Sequence, residues 1–272
     1  MLYELELRAA LEAAGRAGQE LLGLYERFVA IPNAPASIST EADRRAQETI
    51  VGFLREQFPG DAFCAEEDSP ALAGAPQTGP RLWIIDPIDG TRGFARKNGE
   101  FSVMVAFVDR GRVAVGVVLE PAHDRLTYAV RGGGCWQRPA WRGDPSACRV
   151  STMDNPARMT LTQSRSRGPD APTLAVRALK PARVIETYSA GIKLALVARG
   201  EADVYVNNYG AFHDWDICAG HILVEEAGGR VTGLGGEELR YGLEGAWQRY
   251  GLLASNGRLH DAALKAWRVS GP

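Results

Sequence analysis

The stretch Trp83-Ile84-Ile85-Asp86-Pro87-Ile88-Asp89-Gly90-Thr91 constrains this chain more than any other. Its apolar run reads as a buried strand. The strand ends in two aspartates held on a proline turn, with a glycine and a threonine directly behind them. Two carboxylates that cannot turn away from each other repel unless a cation lies between them. Oxygen ligands of this kind suit a hard divalent cation. A Gly-Thr step just after them can present backbone N–H groups to an anion, most naturally a phosphate. Cation and anion sites side by side are the parts of a metal-dependent phosphatase. The plain alternative is a strand ending in a turn, since Asp-Pro and Asp-Gly are both common turn dipeptides. That alternative does not explain why an apolar strand delivers two acids to one point.

The chain has 272 residues, enough for one large domain or two small lobes with a real core. The formal net charge of −2 offers no basic excess for a nucleic-acid polymer, so a small anionic ligand needs a local positive site. Cys64, Cys135, Cys148 and Cys218 show no C-x-x-C spacing, which leaves zinc and redox motifs unsupported. They read as reduced cysteines of a cytoplasmic protein. Glu4, Glu6 and Glu12 among the N-terminal leucines exclude a secretory signal or a membrane span there.

Apolar spacing predicts helices over 2–28 and 40–57, separated by a proline-containing loop. Strands follow at 61–66, 81–86, 101–109, 113–120 and 126–131, with a hairpin turn at Asp109-Arg110-Gly111-Arg112. After about residue 150, short strands (159–163, 183–187, 202–206, 249–254) alternate with helices (171–179, 190–199, 214–227, 257–268), which is α/β order. The expected organisation is an N-terminal α+β lobe over 1–150 and a C-terminal α/β lobe over 151–272. Gly132-Gly133-Gly134 follows a strand but opens no helix, so it reads as a turn rather than a dinucleotide fingerprint.

Three further acidic clusters each have an ordinary explanation. Ala65-Glu66-Glu67-Asp68 can be a solvated turn. Thr40-Glu41-Ala42-Asp43 is a capping-box pattern. In Asp214-Trp215-Asp216 the first acid can cap a helix and the second favour its dipole. Taken together and in order with the Asp86–Thr91 block, and with Glu226-Ala227-Gly228-Gly229, they resemble the inositol-monophosphatase superfamily of metal-dependent, lithium-sensitive phosphatases. The resemblance covers nearly the whole chain and implies the layered αβαβα sugar-phosphatase fold.

The resemblance also implies roles. Glu66, Asp86 and the Ile88 carbonyl would bind a first magnesium, and Asp86, Asp89 and Asp216 a second, with Glu66 helping to hold a weaker third. Asp43 and Thr91 would orient and deprotonate the attacking water, while the Gly90 and Thr91 N–H groups would hold phosphate oxygens. Asp216 would border the substrate. No covalent enzyme intermediate is implied. The runs Glu66-Glu67-Asp68, Arg96-Lys97-Asn98-Gly99-Glu100-Phe101, Ser164-Arg165-Ser166-Arg167 and Ser189-Ala190-Gly191-Ile192-Lys193 look most like the 3'(2'),5'-bisphosphate nucleotidase branch. On that likeness Ser164, Arg167, Ser189 and Lys193 would contact 3'-phosphoadenosine 5'-phosphate, with Lys193 or Arg167 meeting its second phosphate. The alternative reading of Lys193 is an exposed helix lysine.

The sequence departs from the pattern in places. The loop before Thr40 lacks the lysine that many members carry, Arg167 stands where nucleotidases often have histidine, and Ala65 replaces a glycine. The rival readings are an inositol or sugar/polyol phosphatase (fructose 1,6-bisphosphate, histidinol phosphate) and a non-catalytic nucleotide-binding scaffold. The expected partner is a small phosphorylated substrate, with no nucleic-acid polymer and no membrane, and the chain is expected to be a monomer or homodimer.

Overall fold

Alternation along one strand decides the layering. Between residues 102 and 109, Val103, Val105 and Phe107 belong to one apolar cluster, and Met104, Ala106 and Val108 to another. A strand whose two faces are both apolar must be covered on both sides, and each fully buried Val or Phe contributes roughly 1.5–3 kcal/mol. The computed structural model describes residues 2–35, 37–165, 172–210 and 212–270. Its first half comprises α1 (Glu4–Arg27), α2 (Glu41–Gln57), β1 (Ala62–Ala65), β2 (Arg81–Asp89), α3 (Thr91–Ala95), β3 (Ser102–Asp109), β4 (Arg112–Glu120), β5 (Arg125–Val130), β6 (Gly134–Pro139) and β7 (Ser146–Ala147). The second half comprises β8 (Thr160–Ser164), α4 (Leu174–Leu179), β9 (Arg183–Thr187), α5 (Ala190–Ala198), β10 (Val204–Asn207), β11 (Phe212–His213), α6 (Asp214–Glu226), β12 (Arg230–Thr232), β13 (Trp247–Gln248), β14 (Leu252–Ser255) and α7 (His260–Ser270).

Strands β1 to β7 form a seven-stranded sheet in chain order, parallel only between β1 and β2. A five-stranded sheet runs β12-β14-β10-β8-β9. Helices α1 and α2 cover one face of the large sheet, α5 and α6 lie between the two sheets, and α4 and α7 pack together beyond the smaller one. This is the αβαβα layering expected from the sequence. Arg110 (φ 50) and Gly111 (φ 78) make the predicted hairpin turn between β3 and β4. The triple-glycine segment is a turn, with the Gly132 and Gly134 N–H groups donating to the Glu226 carboxylate at 2.9 Å.

The middle helix layer lies close on the large sheet because small residues permit it. A Cβ on Gly116 of β4 would lie 2.3 Å from the Ala219 carbonyl oxygen of α6. One on Gly220 would lie 2.4 Å from Leu194 of α5, and one on Gly191 would lie 2.4 Å from the Met104 sulfur of β3. These contacts set the N-termini of α5 and α6 against the end of β2. Among the described residues no helix is long and apolar enough to cross a membrane.

Candidate active site

In a regular strand, side chains three apart point to opposite faces, which would separate Asp86 from Asp89. Here the pairing register shifts: Asp86 lies opposite Met104, and Asp89 opposite Ser102. Those two β3 residues share a face, so the irregularity brings both aspartates to the same side of the sheet. Pro87 sits within it, where the missing N–H is tolerated. Gly90 follows at φ 88, with the backbone of residues 100 and 189 pressed against it; a Cβ there would lie 2.6 Å from the Glu100 carbonyl oxygen. Only glycine meets both demands.

The other acids arrive at this point from separate elements. Glu66 follows β1, close enough to Asp86 for its charge to raise the Asp86 pKa. Burial and then the charge of Asp216 push the Glu66 pKa up to about 8. Asp86 is raised well above the ordinary carboxylate range by burial, then by Glu66, Asp89 and Asp216. Burial raises Asp216, in the first turn of α6, to about 7, against a hydrogen bond from the His213 N–H. Asp43, fully buried, caps α2 as its sequence suggested: Oδ2 accepts from the Thr40 N–H at 2.8 Å and from the Thr40 hydroxyl at 2.6 Å. Its Oδ1 accepts from the Thr91 hydroxyl at 3.0 Å, and burial sets its pKa at about 6. The Thr91 hydroxyl also lies 3.0 Å from the Ile88 carbonyl oxygen.

Asp89 behaves differently from its neighbours. Its carboxylate accepts from the backbone N–H groups of Ala190 at 3.0 Å and Gly191 at 2.6 Å, and from the Ser102 and Ser189 hydroxyls. It therefore sits on the N-terminus of α5, where the first backbone N–H groups of the helix point at it. With Asp89 and Asp216 turned to these donors, no three His, Cys, Asp or Glu side chains among the described residues form a ready-made metal cage. The donor set nonetheless fits a hard cation. It consists of oxygens alone, the acids raise one another's pKa, and Asp86 Oδ1 is buried with no hydrogen-bond partner. A divalent cation would remove each of those penalties.

The substrate residues expected from the sequence fall in different places. Ser164 is exposed at the end of β8. Ser189 is fully buried; besides binding Asp89 it caps α5, accepting from the Ile192 N–H at 2.9 Å. Lys193 is 0% exposed, so it is neither a surface lysine nor placed to meet a ligand at the surface. Its ammonium donates to the carbonyls of Thr187 at 3.1 Å and Tyr188 at 3.3 Å, and burial lowers its pKa to about 8 against the charges of Asp89, Glu100 and Asp216. Arg167 lies outside the described residues. The ring of His213 is stacked on Trp215 at 4.2 Å and meets Trp247 at 3.9 Å with the planes tilted by 38°.

Sequence reading missed Gln47, whose side-chain amide grips the backbone of Glu67 at both its N–H and its carbonyl, so fixing the turn that carries Glu66. It also missed Ser102 beneath Asp89 and the group around Tyr188. Gln47 lies one turn beyond Asp43 on the same helix, which is the one signal that could have found it.

Comparison with known proteins agrees with this fold. The family model described as "Inositol monophosphatase family" matches residues 3–270. A fructose-1,6-bisphosphatase/inositol-1-monophosphatase of Thermotoga maritima is 34% identical over 230 residues, covering 84% of this chain and 81% of that protein. The 3'(2'),5'-bisphosphate nucleotidase CysQ of Salmonella typhimurium is 30% identical over 238 residues, covering 86% and 93%. The solved inositol monophosphatase of Anabaena (Nostoc) superposes with a TM-score of 0.80 at 28% identity, covering 100% of this chain and 98% of that one.

Proposed function

The chain belongs to the inositol monophosphatase family of phosphatase hydrolases, and from that premise we propose a magnesium-dependent phosphomonoesterase that removes the 3'-phosphate of 3'-phosphoadenosine 5'-phosphate. The observation that carries the hydrolase reading is the convergence of Asp43, Glu66, Asp86, Asp89 and Asp216, from four separate parts of the chain, around an orphaned carboxylate oxygen. That same convergence weighs against a scaffold without catalysis, since clustered unpaired carboxylates cost stability. The nucleotide preference rests on the likeness to CysQ. The likeness to the Thermotoga maritima protein favours a second reading, a sugar or polyol phosphatase.

Glu66, Asp86 and the Ile88 carbonyl would hold one magnesium ion, and Asp86, Asp89 and Asp216 another. Magnesium supplies Lewis acidity there, lowering the pKa of the attacking water and offsetting charge on the phosphoryl and leaving oxygens. The protein's own part begins with Thr91. Its hydroxyl hydrogen is committed to Asp43 and the Ile88 carbonyl, which leaves its oxygen lone pairs to accept from the attacking water. Asp43, with a pKa near 6, is ionised at neutral pH and able to take the proton that Thr91 passes on. The Gly90 and Thr91 N–H groups hold phosphate oxygens, and Asp216 borders the substrate. Lys193 acts from beneath, as a fixed positive charge under Asp89 and Asp216. A kcat/KM comparison with magnesium across 3'-phosphoadenosine 5'-phosphate, inositol 1-phosphate, fructose 1,6-bisphosphate and histidinol phosphate tests the assignment. The nucleotide is expected to lead; inositol 1-phosphate or a sugar phosphate leading would overturn the nucleotide reading.

A further inference from the structure

Tyr188 lies on the turn between β9 and α5, and three guanidinium groups surround its ring. Those of Arg92, Arg165 and Arg96 stand 4.9, 5.6 and 5.7 Å from the ring centroid. Arg96 Nη1 also donates to the Tyr188 hydroxyl at 2.5 Å. Three cations this close repel unless anions face them. One carboxylate does: Glu100 pairs with Arg165 through two nitrogens and accepts from the Tyr188 N–H at 3.2 Å. Arg165 Nη2 also donates to the Glu186 carbonyl at 3.1 Å, while the Glu186 carboxylate is engaged by the Gln163 amide at 2.9 Å. Among the described residues Arg92 and Arg96 form no ion pair, and Arg92 Nε is buried with no hydrogen-bond partner. A positively charged group is thus left without its anion.

Its position gives that surplus charge a purpose. Arg92 directly follows Thr91, and Tyr188 directly precedes Ser189, whose backbone nitrogen would lie 3.1 Å from a Cβ on Gly90. The arginine group therefore adjoins the Gly90–Thr91 step from both sides. Lys193, a further cation among the described residues, is sealed beneath the site. We propose that Arg92, Arg96 and Arg165, fixed around Tyr188, bind the second phosphate of a bisphosphate substrate while the Gly90–Thr91 step and the acids take the phosphate that is cleaved. This rests on the phosphatase reading above and narrows its substrate to esters carrying two phosphates. Guanidinium forks match phosphate oxygens two at a time, and the tyrosine ring holds their planes in place before the ligand arrives. A phosphate oxygen at Arg92 Nε would also satisfy the buried donor.

The test compares two substrates that differ only in that second phosphate, 3'-phosphoadenosine 5'-phosphate and adenosine 3'-monophosphate, in the wild type, Arg96→Ala and Arg92→Met. Hydrogen bonds between charged groups of this kind predict a KM increase of about tenfold or more for the bisphosphate. KM for the monophosphate and kcat for both should stay within about twofold, as expected when only uniform binding is removed. Calorimetry with adenosine 5'-monophosphate, the product that keeps the second phosphate, should show the same weakening without relying on turnover. Equal losses on both substrates, or no loss on either, would overturn the arginine site. Arg96 is exposed, so its variant is expected to fold even if that of Arg92 does not. Should the wild type refuse the nucleotide but cleave fructose 1,6-bisphosphate, the nucleotide reading fails on its own. The arginine site is then judged on that sugar against inositol 1-phosphate, where an unchanged preference in Arg96→Ala overturns it.

Discussion

Two buried charged groups of this protein are built on opposite plans. At the C-terminus of α5, Arg199 is buried beside Glu120, with their polar atoms 2.8 Å apart, and it also binds Thr127 at 2.9 Å and Glu201 at 2.7 Å. That group carries both signs, so its charges meet one another within the fold, although Arg199 Nη2 is left without a hydrogen-bond partner. At the end of β2, the acids carry one sign, raise one another's pKa, and leave an oxygen without a donor. A buried pair of opposite charges serves the fold. A buried set of like charges works against it and makes sense only with a partner from solution. The contrast separates structural from functional charge without reference to any relative.

The sharpest way to break that contrast is to neutralise one member of each group. Asp86→Asn should lower turnover at least about a thousandfold, the scale on which removal of one transition-state electrostatic contact is felt, while the metal-free protein becomes more stable because a repulsion is relieved. Arg199→Ala should do the reverse, costing about 3–5 kcal/mol by leaving Glu120 buried alone, with kcat per folded molecule preserved. Steady-state kinetics and denaturant unfolding of both variants read this out. A destabilised Asp86→Asn protein would erase the distinction.

Acidity offers a second handle. Glu66 and Asp216 have folded pKa values of about 8 and 7, above the ordinary carboxylate value of about 4. Groups raised in this way stabilise the fold when protonated, so their contribution is lost as pH rises through the folded values. His260, lowered to about 4, works in the opposite direction but only below its unfolded value of about 6.5. Between about pH 6.5 and 8 the acids therefore dominate. The melting temperature of EDTA-treated protein should fall across that window, and millimolar magnesium should flatten the trend. A rising melting temperature without metal would mean the acids are not held together. Lys193→Met should give a smaller effect, a severalfold tighter magnesium affinity, because a positive charge near Asp89 and Asp216 is removed. Its effect on KM should be equal for nucleotide and inositol phosphates; a selective rise for the nucleotide would return Lys193 to the ligand surface.

Much of this was legible along the chain. Both N-terminal helices, the strands that build most of the large sheet and the Thr40–Asp43 cap follow from local pattern, whereas the convergence of Asp43, Glu66 and Asp216 on Asp86 and Asp89 was implied only by the family resemblance. What could not be read depends on contacts distant in sequence. Asp89 and Asp86 share a side only because β2 loses register against β3. Lys193 looks like a surface residue until α5 is placed between two sheets. The arginines around Tyr188 come from α3, the residue that ends it and the residue that follows β8, while Tyr188 itself lies on the turn before α5, and no spacing announces the group. The short strands β6, β7, β11, β12 and β13 escaped notice because their pairing partners, rather than their own alternation, define them.

Crystals grown with manganese in place of magnesium test the central claim most directly, since anomalous scattering locates the ion itself. The account predicts peaks between Glu66 and Asp86 and among Asp86, Asp89 and Asp216, with the Asp89 carboxylate drawn partly away from α5. Manganese found elsewhere, or no peak against Asp86 at saturating metal, would contradict it.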